Sequence, residues 1–454
     1  MPTLSETESS VRGGAVMGQG VHGRTFDAGD VGDVGDAGDA GDAGRDRATL
    51  YAELLRPEAQ ACRWELHLAG GRTVECDAGP ARAALIKAVR GAKSFVAKTF
   101  IAARNRTAEE AFGLEMEMRG RVLRAYGSDD VAREFTTVTS GLPISLPGRG
   151  PSSELVGMRL RMPSVPSVRS MPSKRSGGED TFYMLSSKCD TPLDRHAFER
   201  PGELIEMARD VLDSFARLHA GGMLHADVKL DNMVFCSMAG AKARGRRRRF
   251  KLIDWGGSIG ESELRDRYMS TQEPKNTCSP MAWYAWGLGP RLTVKAFMLL
   301  HARMYRSEFL TSLEFVRFCA SSLESFTHAV ERIECREHEH EHEHEQRAAS
   351  AGGARGQRGG SGGTRWSRRL SGLLPAERKV RLAILAEHTR SFDLYNLGLA
   401  LASLAVSTPA GTLDGAVHAR VMRLARSLTH YGDADFAGND AALAWRQSQV
   451  SQAE

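Results

Sequence analysis

Apolar and polar residues first alternate clearly at Trp64-Glu65-Leu66-His67-Leu68, the period-two pattern of a half-buried strand. Ala69-Gly70-Gly71 reads as a turn, and Thr73 to Cys76 as the return strand. Ala84 to Val89 and Ser94 to Phe100 are two further expected strands, joined by Gly91-Ala92-Lys93. Thr107 to Tyr126 then switches to helical spacing. Phe112, Leu114, Met118, Val122 and Ala125 fall on one face, and Thr107 with Glu110 forms a capping box. Leu155 to Met162 and Thr181 to Leu185 read as strands. Glu203 to Ala220 is an amphipathic helix stopped by Gly221-Gly222. Beyond it, short apolar runs at Met233 to Phe235 and Phe250 to Ile253 give way to helical pattern at 292–333, 380–388, 391–398 and 416–430. Strands early and helices late predict an α+β chain.

Between these segments the pattern fails. Asp27, Asp30, Asp33, Asp36, Asp39 and Asp42 recur among Gly, Ala and Val without the prolines of collagen, so residues 1–46 are expected to be a disordered Gly-Asp tail. Pro163 to Gly178 reads as a flexible insertion within about 140–180. From Glu337 to Glu345, His338, His340, His342 and His344 alternate with glutamate, and a Gly-rich stretch follows. Spaced histidines can bind a transition metal weakly. The composition favours a disordered insertion at about 334–376. Residues 447–454 form a short tail.

Composition adds limits. The 454 residues are 41% hydrophobic and 26% charged with a net charge of +5, a soluble globular balance that gives no reason to expect nucleic-acid binding. Arg246 to Arg249 read as a nuclear-targeting patch or, equally, as a solvated hairpin tip. The N-terminus has no signal-peptide core and Leu397 to Val406 is too short to span a bilayer, so no membrane association is expected. Seven scattered cysteines with no Cys-x-x-Cys predict reduced thiols, no zinc site and an intracellular protein of cytoplasm or nucleus. Nothing in the sequence fixes an oligomeric state.

The chemistry concentrates in Leu224 to Phe235, LHADVKLDNMVF, and in Ile253-Asp254-Trp255-Gly256. Two short strands that each deliver a carboxylate to one point suit phosphoryl transfer: one acid orients a hydroxyl, the other holds a cation with an amide oxygen beside it. The pair resembles the His-Arg-Asp loop and Asp-Phe-Gly motif of the protein-kinase superfamily. That resemblance implies a bilobal protein-kinase-like fold, with a small β-rich N-lobe over 47–185 and a larger helical C-lobe over 186–446. It implies Asp227 as catalytic acid-base, Lys229 on the transferred phosphoryl group, and Asn232 and Asp254 as Mg²⁺ ligands. Phe95-Val96-Ala97-Lys98 resembles the family's Val-Ala-x-Lys strand, and Glu115 would pair with Lys98. The nucleotide site is then expected from Gly79, Leu85, Ala97, Lys98 and Glu115, with 77–84 as phosphate-covering loop and Ser186 to Asp190 against the adenine. That loop lacks the family's Gly-x-Gly-x-x-Gly.

Asp393 resembles the family's aspartate that caps the catalytic loop from below. Ala226 stands where the family has an arginine, which implies activity independent of activation-loop phosphorylation. The expected activity is transfer of the ATP γ-phosphate to protein hydroxyls by a serine/threonine kinase. A binding scaffold without activity and a small-molecule phosphotransferase of the aminoglycoside or choline type remain alternatives.

Overall fold

The computed structural model describes residues 18–20, 23–27, 63–76, 80–91, 95–100, 107–137, 141–146, 153–161, 180–187, 189–200, 202–236, 250–264, 279–282, 312–350, 375–408, 412–431 and 440. Contacts divide the chain into two compact units, one up to Leu123 with Ser128–Asp190, the other Arg124–Gly127 with Thr191 onward.

The first unit is built on antiparallel strands. β1 (Gly18–Gly20) and β2 (Gly23–Asp27) form a hairpin, followed by β3 (Arg63–Leu68) and β4 (Arg72–Cys76). Helix α1 (Pro80–Gly91) precedes β5 (Phe95–Phe100), α2 (Ala108–Tyr126) and α3 (Asp129–Phe135). β6 (Leu142–Ile144), β7 (Ser153–Arg161) and β8 (Thr181–Ser187) complete it. The strands make one sheet in the order β1-β2-β5-β8-β7-β3-β4, with β6 on β7. Its core gathers Trp64, Leu66, Leu85, Val89, Leu155, Met158 and Leu185. The expected capping box forms: Thr107 N donates to Glu110 Oε2 at 2.7 Å, and Glu110 N to Thr107 Oγ1 at 3.1 Å.

Two expectations fail here. The Gly-Asp tail is not wholly without order, because its residues 18–20 and 23–27 are strands, and β2 pairs along β5 with Thr25 opposite Lys98. The segment 84–89 is helix, not strand. Pro80 suits the first helical position, the run is alanine-rich, and Leu85 and Val89, four apart, are fully buried together.

The second unit opens with β9 (Thr191–Pro192) and α4 (Glu203–Ala220), then β10 (Met223–Leu224), β11 (Met233–Phe235), β12 (Phe250–Leu252) and β13 (Ile259–Gly260). Helices follow: α5 (Leu313–Ser350), α6 (Pro375–Glu387), α7 (Ser391–Ser407) and α8 (Gly415–Thr429). β11 lies between β12 and β9, and β10 pairs β13. α7 is buried from Ser391 to Ala405, so it is apolar on all sides apart from a few polar residues with partners. Gly398 permits α8 to approach it: a Cβ there would stand 2.5 Å from Thr429 Cγ2 and 2.9 Å from Ala425 O.

The Glu-His tract is helical, the C-terminal half of the 38-residue α5, where a disordered insertion was expected. Glutamate is a good helix former, and residues three apart in the tract are Glu with His, which suits one helix face. Glu339, His342 and Glu343 are exposed on it. Among the described residues no group of three or more His, Cys, Asp or Glu could hold a metal ion, and no helix is long and apolar enough to cross a membrane. Cys189 and Cys236 are disulfide-bonded, whereas Cys76, Cys319 and Cys335 carry thiols outside any disulfide. The expectation of uniformly reduced thiols fails, since spacing along a chain does not report neighbours in space. Residues 351–374 and the arginine run 246–249 lie outside the described residues.

Candidate active site

In the first unit, β5 and α2 present a cation and an anion to each other. Lys98 Nζ stands 2.7 Å from Glu115 Oε1, with the carboxylate side chain only 6% exposed and the lysine 17%. The Lys98 ammonium also lies over the Phe100 ring, 5.7 Å from its centroid. A pair this enclosed fixes the lysine's direction, because neither charge is fully solvated.

The other three nucleotide-site expectations do not hold together. Leu85 belongs to α1 and is fully buried in the sheet's core. Ala97 is also fully buried there, and strand alternation puts it on the face opposite Lys98. Gly79 lies outside the described residues. What the sequence reading missed is Gly18-Gln19-Gly20-Val21-His22-Gly23, a Gly-x-Gly-x-x-Gly whose flanks are the β1–β2 hairpin. Gly20 pairs with Gly23 at its end, and β2 lies directly beside the lysine strand. The spacing was visible in the sequence. An acidic repeat with no strand period follows it directly.

In the second unit, α4 leads through Gly221-Gly222 to β10 and then to the loop carrying His225 to Asn232. His225 is fully buried. Its Nε2 donates to Ile253 O at 3.0 Å, and its Nδ1 accepts from Asp227 N at 3.3 Å, which fixes the Nε2–H tautomer. Asp393, in the first turn of α7, accepts from His225 N and Ala226 N at 2.8 Å each, and from His219 Nε2 at 3.2 Å. Burial would raise the Asp393 carboxyl; bonds and charge from His219 and His225 outweigh it and hold the group below its ordinary range. The loop is thus suspended from one buried carboxylate. Ala226 takes a left-handed conformation, φ +59°, and that bond to Asp393 is one of the contacts holding it there.

Asp227 is buried, 5% exposed. Its Oδ2 accepts from Lys229 Nζ at 3.1 Å and Asn232 Nδ2 at 2.9 Å; the same Nδ2 reaches Asp227 O at 2.8 Å. Its Oδ1 is buried with no hydrogen-bond partner. Burial pushes the Asp227 carboxyl up, Lys229 and His225 pull it down, and the Asp254 carboxylate adds a further push upward; it ends raised. Asp254 therefore stands near Asp227. It is half-buried with φ +59° and ψ 71°, a strained conformation at the head of the turn Trp255–Gly257. Ile253 N donates to Asn232 O at 2.9 Å, tying the Asp254 strand to the Asn232 turn. Trp255 is buried, 4.6 Å from the His225 ring and edge-on to Tyr126 at 6.3 Å, so it packs the site from behind.

Asp227, Lys229, Asn232 and Asp254 thus meet in one unit, and Lys98 and Glu115 meet in the other. The donors offered by Asp254 and Asn232 are hard oxygens, a carboxylate and an amide whose nitrogen is committed to Asp227. That set suits Mg²⁺, which takes one or two protein carboxylates and fills its shell with water and phosphate. Residues 265–278 lie outside the described residues. No protein-family model and no curated protein matches this chain.

Proposed function

We propose that the chain is a protein kinase, transferring the γ-phosphoryl group of Mg-ATP to serine or threonine hydroxyls of protein substrates. The strand-rich first unit would be the small lobe of a bilobal kinase fold, and the helical second unit the large lobe. The observation that carries the reading is Asp227. One carboxylate oxygen is held by Lys229 and Asn232, and the other is buried without a partner and fits a substrate hydroxyl. An acid held this way accepts or orients the hydroxyl proton.

The remaining parts take roles around it. Lys229 neutralises charge on the transferred group. Asn232 and Asp254 would hold Mg²⁺, which supplies charge neutralisation on the phosphates when bound. Lys98, fixed by Glu115, contacts the nucleotide phosphates, and the Gly18–Gly23 hairpin covers them. Glycines there allow close backbone approach. The tryptophan after Asp254 is a packing residue and does not argue for a small-molecule substrate.

Transfer of labelled γ-phosphate to a generic basic protein, with Asp254→Ala beside the parent, tests the reading. Mg²⁺-dependent transfer lost in the variant supports it; ATP binding with no transfer to protein supports a scaffold. Two further outcomes are expected. Gly20→Val with Gly23→Val raises KM for ATP about tenfold or more while thermal unfolding stays near the parent's. Glu115→Gln lowers kcat/KM by roughly tenfold or more, because Lys98 loses its charged guide. Steady-state kinetics check both.

A further inference from the structure

Away from these groups, the start of α5 and the face of α8 enclose a groove of about 600 Å³. That is the size of a side-chain or small-ligand pocket. Its floor is apolar, from the buried Phe318 and Met422. Leu313 stands at its lip, 62% exposed, the large hydrophobic side chain most open to water among the described residues. The floor is preformed: the Phe318 ring packs edge-on against His430 at 5.3 Å, and Ser321 Oγ holds His430 Nε2 at 3.0 Å.

The rim is basic. Arg317 and Arg426 both line the groove and both are exposed. The one carboxylate on the rim, Glu314, is engaged by His418 Nε2 at 3.5 Å and faces that partner. Arg420, Arg423 and Arg426 follow one another at every third position of α8. Burial, and then the charge of Arg423, hold the Arg420 guanidinium below its ordinary range. Guanidinium forks match carboxylates bidentately, and an apolar floor inside a charged rim is the usual form of a peptide-anchor site.

We infer that this groove docks an acidic peptide segment of a partner protein, with an apolar anchor on Phe318 and Met422 and flanking carboxylates on Arg317 and Arg426. The inference is independent of the kinase reading. It is tested on the full chain by fluorescence anisotropy, with a short labelled peptide carrying Leu and Phe between Asp and Glu residues. Binding is expected to saturate and to weaken with salt. Arg317→Glu with Arg426→Glu should weaken it by about tenfold or more, with the thermal unfolding profile kept. The charge-swapped peptide, Lys for Asp and Glu, should bind that double variant better than the parent. Arg336→Glu, exposed further along α5, should bind the acidic peptide as the parent does.

Equal affinity of the parent for the acidic and lysine peptides would overturn the inference. So would full binding by a peptide with alanine anchors, or by the double variant. Self-association in sedimentation that the double variant abolishes would assign the groove to a second copy of the chain instead.

Discussion

Asp227→Ala is expected to lower the phosphotransfer rate on the order of 10³-fold or more, with ATP affinity little changed. The carboxylate stands at the reacting hydroxyl in this reading and does not bind the nucleotide. Its loss therefore falls on kcat. Asp227→Asn should lose nearly as much, since the amide cannot accept the proton, yet it should fold at least as well as the parent. The sign follows from the raised carboxyl. A folded-state value above the unfolded one means that ionisation of Asp227 costs stability at neutral pH, and the neutral amide removes that cost. The same shift sets the pH profile. Asp227 must be ionised to act, so the acid limb of kcat/KM should lie above the ordinary aspartate value of 3.8. Urea unfolding and a pH-rate profile measure the two sides.

Asp393→Ala is expected to be the most destabilising single change at the site. It strands the His225 amide and the His219 ring, both buried, and the half-buried Ala226 amide. Each orphaned buried group costs about 1–3 kcal/mol, so the two buried ones alone cost roughly 2–6 kcal/mol, a large share of an ordinary domain's stability. The carboxyl is held below its unfolded value, so its contribution is complete above the ordinary aspartate value of 3.8 and is lost as pH falls through the lower folded one. Denaturant midpoints of parent and variant should therefore differ most near neutrality and converge in acid. A deficit that stayed constant with pH would remove the charge from the explanation.

What could be read from the sequence was local in it. The helix α2 and its Thr107–Glu110 cap follow from spacing within a few residues, as does the meeting of Asp227, Lys229 and Asn232 in one turn. Lys98 and Glu115 were legible only through resemblance, since nothing in either stretch names the other. The errors have two physical sources. Alanine-rich Pro80–Gly91 carries small residues compatible with strand or helix, and its burial against the sheet decides for helix. Gly23–Asp27 has little strand pattern of its own; it is a strand because β5 offers it an edge. The first error removes the strand expected after a phosphate-covering loop at 77–84, and with it the expected role of Leu85. The disulfide bonding of Cys189 and Cys236 and the unpartnered Asp227 oxygen depend on three-dimensional neighbours and had no linear signal.

The central claim is that Asp227 performs phosphoryl transfer and does not serve as a structural acid. The most direct measurement is paired: titrate Mg-ATP binding to the parent and to Asp227→Asn, and follow γ-phosphate transfer to protein by both. Equal binding with transfer abolished in the variant is the predicted result. Transfer undiminished in Asp227→Asn, or a parent that binds ATP and transfers nothing, would contradict it.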